Sequence, residues 1–443
     1  MKREAQLPIA LTEADSAFEC LSRFDRIVLA VSGGPDSMAL LVLVAEWLAR
    51  KDGATPAVSV ATVDHGLRAE SASEAAYVAD QAKHLGLPHV ILHWTDEKPV
   101  TGLAEAARDA RYLLLDAHAR SFGADNAAVV TAHHADDQAE TFAMRLARGA
   151  GVTGLAAMQP DRPLRTGSPV RLVRPLLAFP KSRLLATLQA RGVTSVEDPT
   201  NSNERYERVR VRNLLPALGA AGISPAAIAT SARRLGDAEA ALRYAEDRFV
   251  ETLGLSFGNE VFAAFDRAAF RQGPRLLRQR LLARLIARYG GASQRPQLSE
   301  IEDLAGRLQT DGKTTATLGG AMISGGGRFV RVWREAGRLD EAEIELSPGE
   351  SRTWDRRFII RRTQEASGPV RVRPLGADDY TKVVGHLLRG RRPPARAAHA
   401  LPSFWLGQEL LAVPSLVPFT AAPQPPLHDA GCELNILGPS GAY

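Results

Sequence analysis

The sequence predicts an α/β fold over its first half, a doubly wound parallel sheet, followed by a mainly helical domain and a small α+β C-terminal domain. Three observations carry that expectation. Short β-branched runs alternate with helix-length apolar segments between residues 26 and 147. A glycine turn, Ser32-Gly33-Gly34-Pro35-Asp36-Ser37, stands between the first such run and the first helical segment. Beyond residue 216 the alternation stops and long stretches rich in Leu, Ala and Arg take over.

Taken in order, Arg26 to Val31 (RIVLAV) is a strand and Ser37 to Arg50 (SMALLVLVAEWLAR) a helix apolar on nearly all sides. Val58 to Val63 (VSVATV) is the second strand, Ser73 to Leu85 a helix and His89 to His93 a strand. Leu103 to Ser121 is a long helix, Ala127 to Ala132 a strand and Asp136 to Ala147 a helix. Strands that are continuously apolar are buried on both faces, as parallel sheets require. Ligands of such sheets bind beyond the carboxyl ends of the strands. Pro216, Gly219 and Gly222 mark a break near 216. Residues 225 to 310 carry almost no strand signal and read as helices, among them Ala226–Leu253 and Arg275–Tyr289. Strand-like stretches return at Lys313–Trp333, and an acidic stretch around Glu341 to Glu350 marks a second break. Short β runs follow at Arg357–Arg362, Val370–Arg373 and Glu409–Val413. The expected domains are residues 1–215, 216–345 and 346–443.

A chain of 443 residues is too long for one ordinary core and suits two or three domains. Net charge is +5, and the excess is largely arginine, which permits a polyanionic partner without demanding one. The two cysteines, Cys20 and Cys432, form no CxxC pair, which argues against a zinc ribbon, an iron–sulfur cluster or a redox dithiol. The N-terminus does not read as a secretory signal, and the most apolar run, Met38 to Trp47, is too short to cross a bilayer. The expectation is a cytoplasmic protein with no membrane partner.

The glycine turn is a phosphate cradle. Glycines let the backbone approach an anion, the helix that follows offers free N–H groups, and Ser32 and Ser37 add hydroxyls. A Walker loop would place a lysine on the β- and γ-phosphates. Here the loop carries Asp36 instead, and a carboxylate beside pyrophosphate needs a bridging cation, expected to be Mg²⁺.

SGGPDS after a first strand resembles the PP-loop ATP pyrophosphatase superfamily, which implies cleavage of ATP between its α- and β-phosphates. Later stretches narrow the likeness: Asp64-His65-Gly66-Leu67-Arg68, Gly102 to Arg108 running on to Arg111-Tyr112, and Thr131-Ala132-His133-His134-Ala135-Asp136-Asp137-Gln138-Ala139-Glu140-Thr141. Then come Arg145 to Gly154, Arg174-Pro175-Leu176-Leu177, and Glu197 to Asn201 leading to Arg210-Val211-Arg212. In this order, over most of residues 25 to 216, they resemble the tRNA(Ile)-lysidine synthetase family. The resemblance implies an ATP-dependent ligase that joins free L-lysine to C2 of the wobble cytidine in the CAU anticodon of an isoleucine tRNA. AMP activates the cytidine and pyrophosphate leaves.

The residues expected to bind ATP are Ser32, Gly33, Gly34, Pro35, Asp36 and Ser37, with Asp64 and His65 at the adenine and ribose, and Arg108. Asp36, Arg111, His133, Asp137 and Glu140 are the expected catalytic set, with Asp36 and Asp137 on the metal. His133, Asp137 and Glu140 follow an i, i+4, i+7 spacing and are expected on one helical face, at the sheet's carboxyl edge. The lysine amine titrates near ~10.4, so a carboxylate or imidazole must take its proton. Asp136 and Asp137 would equally complement a helix dipole, and either histidine would equally serve as a hydrogen-bonded core residue.

Arg205, Arg208, Arg210 and Arg212 form a basic cluster expected to grip tRNA, and Arg391 and Arg392 lie in a proline-rich basic loop expected at the tRNA stem. A solvated helix face is the plain alternative for the first cluster and a solubilising loop for the second. A homodimer is left open. Two rival functions are another PP-loop adenylating enzyme acting on tRNA, which would ignore lysine, and a catalytically silent tRNA- or nucleotide-binding protein. The silent binder has no need of Asp36, Asp137 and Glu140.

Overall fold

The computed structural model describes residues 7–436, except 52, 54, 68–70, 124–125, 166, 197–206, 292–295, 340–342, 422–426 and 428–429. Arg68, the stretch from Glu197 to Asn201, Asn203, Arg205 and Tyr206 therefore lie outside the described residues. The chain divides into two compact units, Met1–Ala240 and Ala241–Ala442.

The first unit is built on a six-stranded sheet of β1 (Arg26–Ala30), β2 (Ala57–Asp64), β3 (His89–His93), β4 (Ala127–Val130), β5 (Asp161–Pro163) and β6 (Arg171–Val173), in the order β3-β2-β1-β4-β6-β5. All neighbours are parallel except β5 with β6. Its helices are α1 (Leu11–Phe18), α2 (Pro35–Arg50), α3 (Ser71–His84), α4 (Leu103–Arg120), α5 (Ala135–Ala147), α6 (Val152–Leu155), α7 (Lys181–Ala190) and α8 (Glu207–Ala220). The period of two in β1 sends Ile27 and Leu29 to one face, among Phe18, Leu40, Trp47 and Leu184. Val28 and Ala30 point to the other face, among Leu115, Ala119, Val129 and Leu172. Each buried Leu or Val contributes about 1.5–3 kcal/mol by leaving water, so β1, buried and apolar from Ile27 to Ala30, is anchored from both sides. The chain runs from β1 outward to β2 and β3, then returns to β4 on the other flank of β1. This reversal opens a crevice beyond the carboxyl ends of β1 and β4, where doubly wound sheets bind ligands.

α9 (Pro225–Thr252) crosses the division at 240. The expected break near 216 falls inside α8, where Pro216 is carried within the helix. Leu215, Ile228 and Ala139 form a small apolar cluster, and Thr153 Oγ1 donates to Glu239 Oε2 at 2.8 Å. These contacts keep α8 and the start of α9 with the first unit.

The second unit contains the remaining turns of α9, with α10 (Arg267–Gln272), α11 (Arg275–Gly290) and α12 (Leu298–Gln309). It also carries an antiparallel sheet of β7 (Ser256–Gly258), β8 (Phe262–Asp266), β9 (Thr314–Leu318), β10 (Ala321–Gly326) and β11 (Phe329–Arg334), ordered β7-β8-β11-β10-β9. Strands at β7 and β8 depart from the helical reading of 225–310. β8 (FAAFD) is a five-residue strand between β7 and β11 in the sheet, and its pairing with β11 reaches 63 residues or more downstream. Two small sheets follow. One joins β12 (Ile344–Leu346), β15 (Val370–Pro374), β16 (Pro402–Leu406) and β17 (Glu409–Ala412). The other joins β13 (Ser351–Trp354), β14 (Phe358–Arg362) and β18 (Cys432–Ile436). Helices α13 (Gly376–Val383) and α14 (Ala395–Ala398) complete the unit. Val261 and Trp333 share an apolar cluster with Leu375, Val383 and Leu416, so packing continues across the break expected near 345. Among the described residues no single helix is long and apolar enough to cross a membrane.

Candidate active site

The turn after β1 takes the form of a cradle. Gly33 has φ +86°, a conformation that a side chain would strain. Gly34 is the N-cap of α2 and Pro35 its first residue, where the missing N–H costs nothing. Ser37 Oγ donates to the Gly34 carbonyl at 2.9 Å and accepts the Ser32 N–H at 3.1 Å, so the two serines brace the turn internally. The Val196 N–H donates to the Gly33 carbonyl at 2.9 Å.

Asp36 sits in the first turn of α2. Its Oδ2 lies 3.5 Å from His134 Nε2 and 3.5 Å from Lys181 Nζ, while Oδ1 is buried without a partner among the described residues. Burial alone would push this carboxyl up, but the His134 imidazole and the Lys181 ammonium outweigh it and hold the pKa below the ordinary carboxylate value. A buried carboxylate oxygen with no donor is costly unless a cation meets it. Asp36 thus fits an ion shared with phosphate oxygens. Among the described residues no group of three or more His, Cys, Asp or Glu is arranged to hold a metal ion.

His134 is the hub of the acids and was not singled out in the sequence reading. It caps α5: its N–H donates to Asp137 Oδ2 at 3.1 Å, and its Nε2 lies 3.5 Å from that same oxygen. Burial disfavours a charged imidazole, but Asp36, Asp137 and Asp136 reverse the sign and raise its pKa above the ordinary histidine value. While neutral, the ring accepts the Asp137 N–H, 3.4 Å from Nδ1; once protonated it has no lone pair there. The Asp136 carboxylate, 3.6 Å from Nδ1, then becomes its partner. Asp136 Oδ2 also accepts the Lys181 N–H at 2.8 Å and so anchors the start of α7. Lys181 was likewise missed, since only the fold brings α7 to the phosphate turn.

His133 precedes α5, so it does not share a helical face with Asp137 and Glu140, contrary to the spacing argument. Its Nδ1 lies 2.8 Å from Thr131 Oγ1. Burial, with Arg174, Arg111, Arg208 and Arg108 nearby, keeps the ring neutral well below its ordinary pKa. Asp137 and Glu140 are on α5, and α8 supplies their counter-charges. Arg208 Nε donates to Glu140 Oε2 at 2.5 Å and its Nη2 to Asp137 Oδ1 at 2.6 Å, while Arg212 Nε donates to Glu140 Oε1 at 2.6 Å. Glu140 is 1% exposed; burial would raise its pKa, but the two guanidiniums hold it below the ordinary value. Arg208 and Arg212, expected on a tRNA-facing surface, instead reach into the acid cluster. Arg210 is exposed on α8.

A cleft of about 750 Å³ joins these parts. Its lining includes Ser32, Gly34, Thr62, His65, Arg111, Arg208 and Arg212. Arg111 is deeply desolvated, and that burial with Arg108 nearby lowers its basicity. Arg108 is exposed, its guanidinium 5.4 Å from the Tyr112 ring, and it does not line the cleft. Of the next pair, His65 lines the cleft edge-on to Trp94 at 5.9 Å, and its Nδ1 is buried without a partner among the described residues. Asp64 instead accepts the Gly66 N–H at 2.8 Å and closes its own turn. Arg391 and Arg392 belong to the second unit and are exposed.

A family model described as a PP-loop domain matches residues 8–218. The tRNA(Ile)-lysidine synthase of Bradyrhizobium sp. is 44% identical over 341 residues, spanning 72% of this chain and 93% of that protein. That of Methylobacterium nodulans is 46% identical over 308 residues, 68% and 88% of the two chains. That of Ruegeria pomeroyi is 38% identical over 389 residues, 88% of each. Since the likeness runs along nearly the whole of these relatives, and the PP-loop match spans the unit that holds the phosphate cradle and the acids, the chain belongs to the tRNA(Ile)-lysidine synthase family.

Proposed function

We propose that this chain joins free L-lysine to C2 of the wobble cytidine in the CAU anticodon of an isoleucine tRNA, after adenylating that cytidine with ATP. The observation that carries the reading is the meeting of a lysine-free glycine turn with Asp36 and Asp137, bridged by His134, in the crevice between β1 and β4.

In this reading the α2 N-terminus and Ser32 receive the outer phosphates of ATP, and the nucleoside extends along the cleft toward His65. Asp36 and Asp137 would hold Mg²⁺, which supplies neutralisation of the pyrophosphate charge. The cytidine O2 attacks the α-phosphorus, the bond to the bridging oxygen breaks and pyrophosphate departs. Arg111, a half-buried cation lining the cleft, stabilises the charge that builds on the α-phosphate. The lysine ammonium is attracted to Asp137 and Glu140, whose charge Arg208 and Arg212 otherwise balance. His133 stays unprotonated and, with Nδ1 engaged by Thr131, offers Nε2 to the amine. The amine then attacks C2, AMP leaves, and the amine's proton passes to this pocket. ATP, free lysine and tRNA as substrates suit a cytoplasmic enzyme.

The test is incubation with labelled ATP, lysine and transcribed isoleucine tRNA, followed by mass spectrometry of the nucleosides. Expected products are AMP, pyrophosphate and lysidine, each dependent on lysine and tRNA, and Asp36→Ala should abolish AMP formation while the chain stays folded. Formation of ADP and orthophosphate would overturn the reading.

A further inference from the structure

The glycine turn carries no lysine of its own, yet the fold brings one to it. Lys181 is the first residue of α7, and its Nζ lies 3.5 Å from Asp36 Oδ2 in the first turn of α2. The placement is built from the backbone. The Lys181 N–H donates to Asp136 Oδ2 at 2.8 Å, and the Ala135 N–H donates to the Phe179 carbonyl at 2.9 Å, so the starts of α5 and α7 are tied twice. Ten residues further along both helices, Arg191 grips Glu46 with two hydrogen bonds, at 2.5 and 2.8 Å. Between these ends, Leu184 and Leu188 of α7 share a core with Leu40 and Leu43 of α2. α7 therefore runs alongside α2 in the same direction, held at both ends of a span of about 15 Å. Both helices begin at the phosphate cradle.

Two cations stand at Asp36, and they differ in freedom. The His134 side chain is 3% exposed and is held at the cap of α5. The Lys181 side chain is 37% exposed and ends a flexible four-carbon stem. A formed charge-assisted hydrogen bond closes to about 2.7–2.9 Å, and the Lys181–Asp36 contact is wider than that. So loose and exposed a pair adds little to stability. A divalent ion on Asp36 would neutralise the charge that attracts Lys181. The ammonium is then available to the anion that enters the turn.

We propose that Lys181 is a further catalytic residue, whose ammonium meets the outer phosphates of ATP and stabilises the departing pyrophosphate. A Walker lysine does this from within its own loop; here the cation arrives from a helix more than 140 residues downstream. When the bond between the α-phosphorus and the bridging oxygen breaks, the electron pair stays on that oxygen, and pyrophosphate gains negative charge. The ammonium faces this charge without giving up a proton. The inference rests on the adenylating reading for the identity of the leaving group, and on the placement of α7 for the anion site itself.

The full chain, without tRNA or lysine, is titrated calorimetrically with inorganic pyrophosphate in excess Mg²⁺, and separately with AMP. Lys181→Met keeps the N–H tie to Asp136 and removes only the charge. Expected are a loss of pyrophosphate affinity of about tenfold or more and an unchanged affinity for AMP. In lysidine formation at saturating ATP, kcat should fall on the order of 100-fold, and Lys181→Arg should recover a large part of both losses. If Lys181 were only a counter-charge to Asp36, its removal would leave that carboxylate more open to Mg²⁺, and pyrophosphate would bind as well or better. That result would overturn the proposal, as would a kcat equal to the parent's or an equal loss of affinity for AMP and pyrophosphate. A parent that forms lysidine, with Lys181→Met its equal, would sink the inference and leave the ligase reading standing. A parent that forms none, with pyrophosphate affinity lost in Lys181→Met, would sink the ligase reading alone.

Discussion

Glu140 is buried yet charged, and its charge is sustained by two guanidiniums that are themselves about a third exposed or more. Glu140→Gln keeps the shape and removes the charge. It should cost about 1–3 kcal/mol, toward the lower end because water screens the arginines. Its folded-state pKa lies below the unfolded value of 4.5. The stabilisation is therefore fully present above that value and is lost as pH falls through the depressed one. Denaturant melts of parent and variant should differ at pH 7 and converge in strong acid; a gap independent of pH would mean that the charge is not the source. The acids were legible in the sequence because HHADDQAET falls just past a strand, at the edge where such sheets bind ligands. Their partners were not, since the pairing of Arg208 with Glu140 spans 68 residues and depends on α8 folding back on α5. His134 was overlooked for a related reason: its role as cap and hub comes from three carboxylates, one of them on α2.

At the scale of elements, α7 begins where Asp136 accepts the Lys181 N–H, a tie between the first turns of two helices. Removing it with Asp136→Ala should cost about 1 kcal/mol, the worth of an ordinary N-cap, and should let Lys181 drift from Asp36. The expected outcome is a lower melting temperature with a raised KM for ATP. If KM holds while melting falls, the tie serves the fold alone. Strands β1 to β4 and helices α2 to α5 were legible because each is a local pattern closed by a turn. β5, β6, β7 and β8 escaped because they are three to five residues long and exist by pairing with partners.

Across the whole molecule, the basic residues expected to meet tRNA fall into both units. Arg208 and Arg212 serve the acid cluster, whereas Arg391 and Arg392 are exposed and not engaged by carboxylates among the described residues. If each of the latter meets a phosphate, Arg391→Ser with Arg392→Ser should flatten the dependence of log K on log salt for tRNA by about one to two units. An unchanged slope would assign the loop to solubility. The two-unit division was only partly legible. Pro216 suggested a break but is absorbed within α8, and the real division lies inside a helix with no local mark in its sequence.

The amide of Val196 is tied to the carbonyl of Gly33, so the strand of chain that leads on toward α8 starts from the phosphate turn itself. An occupied turn should hold that carbonyl still, and the Val196 proton should then trade with deuterated solvent more slowly when a non-hydrolysable ATP analogue is present. One backbone proton would thus act as a built-in gauge of nucleotide occupancy, read without altering a single side chain; an exchange rate indifferent to the analogue would show that the two segments move apart freely.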